Sequence, residues 1–171
     1  MAAPVLSHKK FYIVKPYGGY NYIKNPRFDP PDGVEDWVAS GSGVTIALSG
    51  DEARRGAYSM KVNPASGVVS MAIYNGLSIV TGLAYTFSCD VKGIAGQAMR
   101  IYVGTYTGKT FIATGYWQRV QVSFTSTQTI SNCYAVVQRD AIASTDPFYV
   151  DGVQFEQAVK MSTFISGYEP G

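Results

Sequence analysis

Histidine is nearly missing from this chain; His8 is the only one. Its place among the first ten residues, apart from the strand-rich remainder, excludes a folded Ser-His-Asp or Cys-His pair and any multi-histidine metal centre. Cysteine is almost as scarce: two residues, Cys89 and Cys133, exclude a disulfide-rich scaffold and a four-cysteine zinc site. Charge is thin, at 15% of residues, and nearly balanced, with 14 Lys+Arg against 12 Asp+Glu. No cationic cluster exceeds Lys9-Lys10 or Arg54-Arg55. A nucleic-acid partner is therefore not expected, since it calls for a concentrated basic face. No apolar run approaches the roughly 20 residues that cross a bilayer, so membrane insertion is not expected. The opening "MAAPVLSHKKFYIVKPYGGYNY" lacks the positive-then-apolar order of a secretion signal. Phosphate-cradling glycine loops are lacking too; the glycines of "SGSG" and "YGGY" read as turns.

What is present is apolar and aromatic. Hydrophobic residues make up 46% of 171, with 13 tyrosines and 18 glycines, enough for one domain with a sizeable core. Residues 1–20, with Pro4, Pro16, the apolar "FYIV" and "YGGY", read as an extended N-terminal arm. From residue 21 to 171 nearly every segment reads as a strand, among them "DWVAS", "VTIALS", "AYSMKV", "GVVSMAIY", "AYTFSCDVK", "AMRIYVGTY" and "KTFIA". "YWQRVQVSFT", "NCYAVVQRD", "FYVDGVQFE" and "STFISGY" complete the set. Many short strands with frequent turn residues predict an all-β sandwich or barrel. Cys89 alternates with Tyr85, Phe87 and Val91, and Cys133 with Ala135 and Val137, which predicts two buried thiols; a bridge between adjacent strands is the alternative. Trp117 is out of phase with Val120, Val122 and Phe124, which predicts a bulge near Gln118–Arg119.

In the last strand, Asp151 shares a side with Tyr149, Val153 and Phe155. If those face a core, the carboxylate faces it too and must be paired, hydrogen-bonded, neutralised or metal-bound.

Three features in order carry a resemblance: "NPRFD" (Asn25–Asp29) followed by Trp37; then "RRGAYSMKV"; then "YTFSCDVKG", "YWQRVQVSFT" and "FYVDGVQFE". Residues 21–157 resemble the jelly-roll carbohydrate-binding modules appended to xylanases and glucanases. The resemblance implies a jelly-roll β-sandwich of two antiparallel sheets. The end, "DGVQFEQAVKMSTFISGYEPG", is similar to such modules in bacteriophage tail and virion proteins. In many of these modules the last-strand Asp helps hold a structural Ca²⁺. Carried over, the ligands implied are Asp151, Asp29 and the backbone carbonyl near Gly56, although Asp29 stands where the family has Glu. Hard oxygen donors from distant segments suit that ion. The readings without metal are an ion pair of Asp151 with Arg54 or Arg55, or hydrogen bonds from backbone amides.

No pair among Glu35, Asp90, Asp140 and Glu156 stands out as the two carboxylates that glycoside hydrolysis needs, so a non-enzyme is expected. Sugar recognition wants aromatic faces beside planar polar groups. Arg100, Tyr102 and Tyr106 share one side of "MRIYVGTY", Tyr134 and Gln138 one side of "CYAVVQ", and Tyr74 ends "SMAIY". These side chains are candidates either for a glycan groove or for an interface between subunits. The resulting expectation is a bacteriophage structural component of tail, baseplate or capsid exterior, found in the virion. It would be assembled as a homo-oligomer with other virion proteins through the arm. The alternative is an extracellular or virion-borne glycan-binding module for host-surface or plant polysaccharide.

Overall fold

A computed structural model describes residues 20–106 and 108–165. The arm expected over residues 1–20 lies outside these but for Tyr20, as does the end of "STFISGY"; its residues 162–165 form no strand. In chain order the strands are β1 (Trp37–Ser40), β2 (Thr45–Ser49), β3 (Ser59–Asn63), β4 (Ser70–Ile79) and β5 (Ala84–Lys92). Then follow β6 (Ala98–Val103), β7 (Lys109–Ile112), β8 (Gln118–Thr125), β9 (Ile130–Arg139) and β10 (Phe148–Glu156). No helix occurs among the described residues.

Five strands form a first sheet in the order β1-β4-β9-β6-β7, and five a second in the order β2-β3-β10-β5-β8; every pairing is antiparallel. Apart from the β2–β3 and β6–β7 hairpins, each connection crosses to the other sheet, giving the jelly-roll sandwich. Alternation decides which side chains fill the space between them. Ala72, Tyr74, Leu77 and Ile79 of β4, Met99, Ile101 and Val103 of β6, and Cys133, Ala135 and Val137 of β9 face inward from the first sheet. Met60 and Val62 of β3, Phe87, Cys89 and Val91 of β5, and Phe148, Val150, Val153 and Phe155 of β10 meet them from the second. Tyr85 and Phe155 stack with ring planes 3° apart and centroids at 5.4 Å. Each such fully buried aromatic or aliphatic side chain contributes about 1.5–3 kcal/mol. The two cysteines are buried and free, and they belong to different sheets rather than to adjacent strands.

Two expectations need correction. The β5–β8 register runs unbroken from Ala84↔Thr125 to Val91↔Gln118, so there is no bulge at Gln118–Arg119; Trp117 simply precedes the strand. A bulge lies instead in β10, between Asp151 and Gln154. Gly152 adopts a left-handed φ of 53° there, a conformation that glycine enters without steric penalty. The extra residue switches the alternation. Phe148 and Val150 before it, and Val153 and Phe155 after it, all point into the core. Asp151 therefore shares a side with Tyr149, Gln154 and Glu156, on the outer face of the second sheet.

That outer face is covered. Beyond the end of β3, residues 21–26 run beside β10: Tyr22 N–H donates to Phe155 O at 2.8 Å and Val153 N–H to Pro26 O at 2.9 Å. Buried Asn21 clamps this junction, donating from Nδ2 to Val153 O at 2.9 Å and Ile165 O at 3.4 Å while Oδ1 accepts from the N–H of Ile23 and Phe155. The segment after β10 folds back over the sheet: Ser162 N–H donates to Glu156 Oε1 at 2.8 Å and Ile165 N–H to Gln154 Oε1 at 3.1 Å.

Candidate functional site

The first sheet's outer face has no such cover from the described residues. Its cross-strand registers define two rows. One reads Val38–Ile73–Val136–Tyr102, from β1 through β4 and β9 to β6; the other reads Ser40–Met71–Gln138–Arg100–Thr110 and reaches β7. At about 4.8 Å per strand the longer row spans roughly 19 Å. Tyr134 lies one step further along β9 on the same side, with Val136 buried beneath the neighbouring side chains.

Four of the sequence candidates are therefore brought together: Arg100, Tyr102, Tyr134 and Gln138. The Arg100 guanidinium carbon sits 5.0 Å from the Tyr102 ring centroid, within cation–π range. The Tyr102 hydroxyl points to Met71 Sδ at 3.5 Å. Burial, reinforced by Tyr134 and opposed by Arg100, raises the Tyr102 pKa above its ordinary value. Gln138 Nε2 donates to Asp140 Oδ1 at 3.2 Å, leaving the amide oxygen as an acceptor. Gly108 closes the margin beside Arg100, where a Cβ would stand 2.5 Å from Arg100 Nε. Only a bare backbone leaves the guanidinium its place. The face thus combines an apolar floor, two tyrosine rings and planar donors and acceptors, the set that a pyranose ring uses.

Two candidates do not belong to it. Tyr74 points between the sheets, its ring 5.4 Å from that of Trp37 and its oxygen accepting from Lys24 N–H at 3.3 Å. Tyr106 stacks on Phe124 at 4.4 Å and shares a 2.8 Å hydrogen bond with the Ser126 hydroxyl, so it seals the end of the core.

The suggested metal ligands lie around the turn at residues 54–56, over the second sheet. Asp151 Oδ2 accepts from the N–H of Arg54 at 2.7 Å and of Arg55 at 2.5 Å, and Oδ1 accepts from Gly152 N–H at 2.6 Å. Asp29 is held by Arg27 at 2.7 Å and lies beside Gly56, where a Cβ would stand 3.3 Å from its Oδ1. Protein groups already meet much of these carboxylates. Both lone pairs of Asp151 Oδ2 face N–H donors, and Asp29 already has a guanidinium. Among the described residues no three His, Cys, Asp or Glu side chains come together to hold a metal. The charge on Asp151 is answered by amides. Burial nevertheless pushes its carboxyl up to about 6, against the lowering effect of those amides.

Of the carboxylates weighed for hydrolysis, Asp90 and Glu156 are buried under this covered face. Asp90 is bridged by Arg55 Nε at 2.5 Å and Arg119 Nη1 at 3.4 Å. Glu156 is tied to Gln154 and Ser162. Glu35 and Asp140 are exposed.

Comparison with known proteins places this geometry. The profile described as "Carbohydrate binding domain" matches residues 20–141. No curated protein matches the chain significantly. Among solved structures, an arabinose-bound α-L-arabinofuranosidase, MgGH51, superposes with a TM-score of 0.65 at 13% identity, over 82% of this chain and 26% of that one. The enzymatically active domain of tailspike protein 4 from bacteriophage CBA120 also gives 0.65, at 10% identity over 81% and 21%. The module TmCBM61 in complex with beta-1,4-galactotriose gives 0.60 at 18% identity, over 81% of this chain and 99% of that one. The chain thus matches a fraction of the two larger proteins and nearly the whole of the module; at these identities the likeness is one of fold.

Proposed function

The chain belongs to the carbohydrate binding domain family, and on that premise we propose that it binds a polysaccharide along the outer face of its first sheet, without catalysing a reaction on it. One observation carries the reading: Tyr102, Tyr134, Gln138 and Arg100 share an uncovered face over an apolar floor of Ile73, Met71 and Val136. Rings on a flat sheet offer stacking surface to an extended chain, and each interaction is worth about 1 kcal/mol, so binding accumulates along the polymer. The test is affinity electrophoresis through gels carrying xylan, β-1,4-galactan or a bacterial capsule polymer. Retardation that drops at least about tenfold (~1.4 kcal/mol) in Tyr102→Ala and Tyr134→Ala supports the reading. Wild-type protein unretarded in all of these gels, and in gels of uronic-acid polymers, overturns it.

The tail "DGVQFEQAVKMSTFISGYEPG", which is similar to virion modules, favours one setting for this activity: the exterior of a bacteriophage particle. There the protein is non-catalytic, assembles as a homo-oligomer with other virion proteins through residues 1–20, and holds host-surface glycan. Deleting residues 1–20 should leave a folded domain that no longer self-associates or enters particles. Unchanged incorporation would refute the arm's role.

A further inference from the structure

Arg100 is charged and exposed, and no carboxylate among the described residues pairs with it. Ion pairs among the described residues go to Arg27, Arg55, Lys61, Lys92 and Arg119, and Arg100 has none. The nearest acid along its rows, Asp140, takes the amide of Gln138 instead. The guanidinium nonetheless has a defined place, over the Tyr102 ring on one side and with the bare backbone of Gly108 on the other. A site for neutral sugars needs donors and acceptors mixed, because every hydroxyl is both. Guanidinium has five donors and no acceptor, and its fork matches a carboxylate. Covering it with a neutral ring strips its water and returns no charge, which is unfavourable.

We propose that the polymer bound on this face is acidic, a uronic-acid polysaccharide whose ring carboxylate is received by Arg100 while the ring lies on Tyr102 and Tyr134. The inference rests on the sugar-binding reading above and adds the charge class of the ligand. Gln138 and Thr110 flank Arg100 in the same row and serve the neighbouring hydroxyls.

The test uses the full chain in gels of alginate or polygalacturonate, each beside the same polymer after reduction of its carboxyls to alcohols, with xylan and β-1,4-galactan as neutral polymers. The expected result is retardation by at least one uronate polymer, lost on carboxyl reduction. It should weaken about tenfold in Arg100→Gln and fall with added NaCl, as a charge-assisted contact does. Arg100→Lys should recover part of the binding, because a point charge remains. Arg100 is exposed, so an unchanged melting temperature in both variants shows that the fold is intact. Retardation in neutral gels that ignores Arg100→Gln but disappears in Tyr102→Ala overturns the acidic ligand and leaves the sugar-binding face standing. Failure to be retarded in any gel overturns that face and this inference with it.

Discussion

Asp90 and Asp151 stand directly opposite one another on β5 and β10, two like charges side by side on a buried face. Such a pair is tolerable only if each carboxylate has its own compensation. Asp90 has two guanidiniums, from Arg55 and Arg119. Asp151 has three backbone amides and no cation of its own. Burial first, and the Asp90 charge beside it, raise the Asp151 carboxyl above its ordinary range, against the lowering effect of those amides.

A pH dependence follows. Burial holds the Asp151 carboxyl at about 6, above the ordinary carboxylate value of 3.8. An acid whose folded value is raised binds its proton more tightly folded than unfolded. Its stabilising contribution is complete below about pH 4 and is lost as pH rises through 6. Measured by urea denaturation in chelator, the wild type should gain on the order of 2 kcal/mol relative to Asp151→Asn between pH 7 and pH 4. A constant difference across that range would show that the carboxyl titrates normally.

Gly152→Ala should be strongly destabilising. A Cβ there would lie 2.5 Å from Arg55 Cδ and Nε and 2.6 Å from Asp90 Oδ2, on a backbone already left-handed at φ 53°. The left-handed conformation costs about 1–2 kcal/mol and overpacking a further 1–3 kcal/mol or so. A urea midpoint unmoved from wild type would contradict the bulge geometry.

Phe164→Ala should loosen the covering segment without unfolding the sandwich. Its ring lies under two guanidiniums, 4.3 Å from Arg55 and 5.7 Å from Arg119. Such contacts are worth about 0.5–2 kcal/mol, a local rather than a global loss. Limited proteolysis after β10 should accelerate severalfold while the thermal midpoint moves little; equal cleavage of both proteins would deny the segment this anchor.

Calcium should not matter to stability. With Asp151 held by amides and Asp29 by Arg27, millimolar CaCl₂ against excess chelator should shift the melting temperature by less than about 1 °C. A rise of several degrees, reversed by chelator, would restore the ion that the family resemblance suggested.

Most strands were legible because one side of each carries the core, as in β3, β5 and β6. The exceptions share a cause. In β10 the run "VDGV" hides a phase change. Only the glycine in mid-strand signals it, and a lone glycine marks a close approach as often as a bulge. In β4 the alternation misleads, because Met71 and Ile73 point outward while Tyr74 points inward. Large apolar residues on an uncovered face look the same, in sequence, as core. For that reason the floor of the candidate site, Val38, Met71, Ile73 and Val136, went unnoticed, while the polar candidates Arg100, Tyr102, Tyr134 and Gln138 were found. Which amides would reach Asp151 depends on contacts nearly a hundred residues apart, beyond any local pattern.

The Asn21 clamp has a consequence for presentation. By bonding to Val153, Phe155 and Ile165 together, it fastens the segment that enters the sandwich and the segment after β10 to one strand of the second sheet. Both of these described segments are thereby held on the second sheet, away from the outer face of the first. The tyrosine-bearing surface looks the other way, clear of both of them.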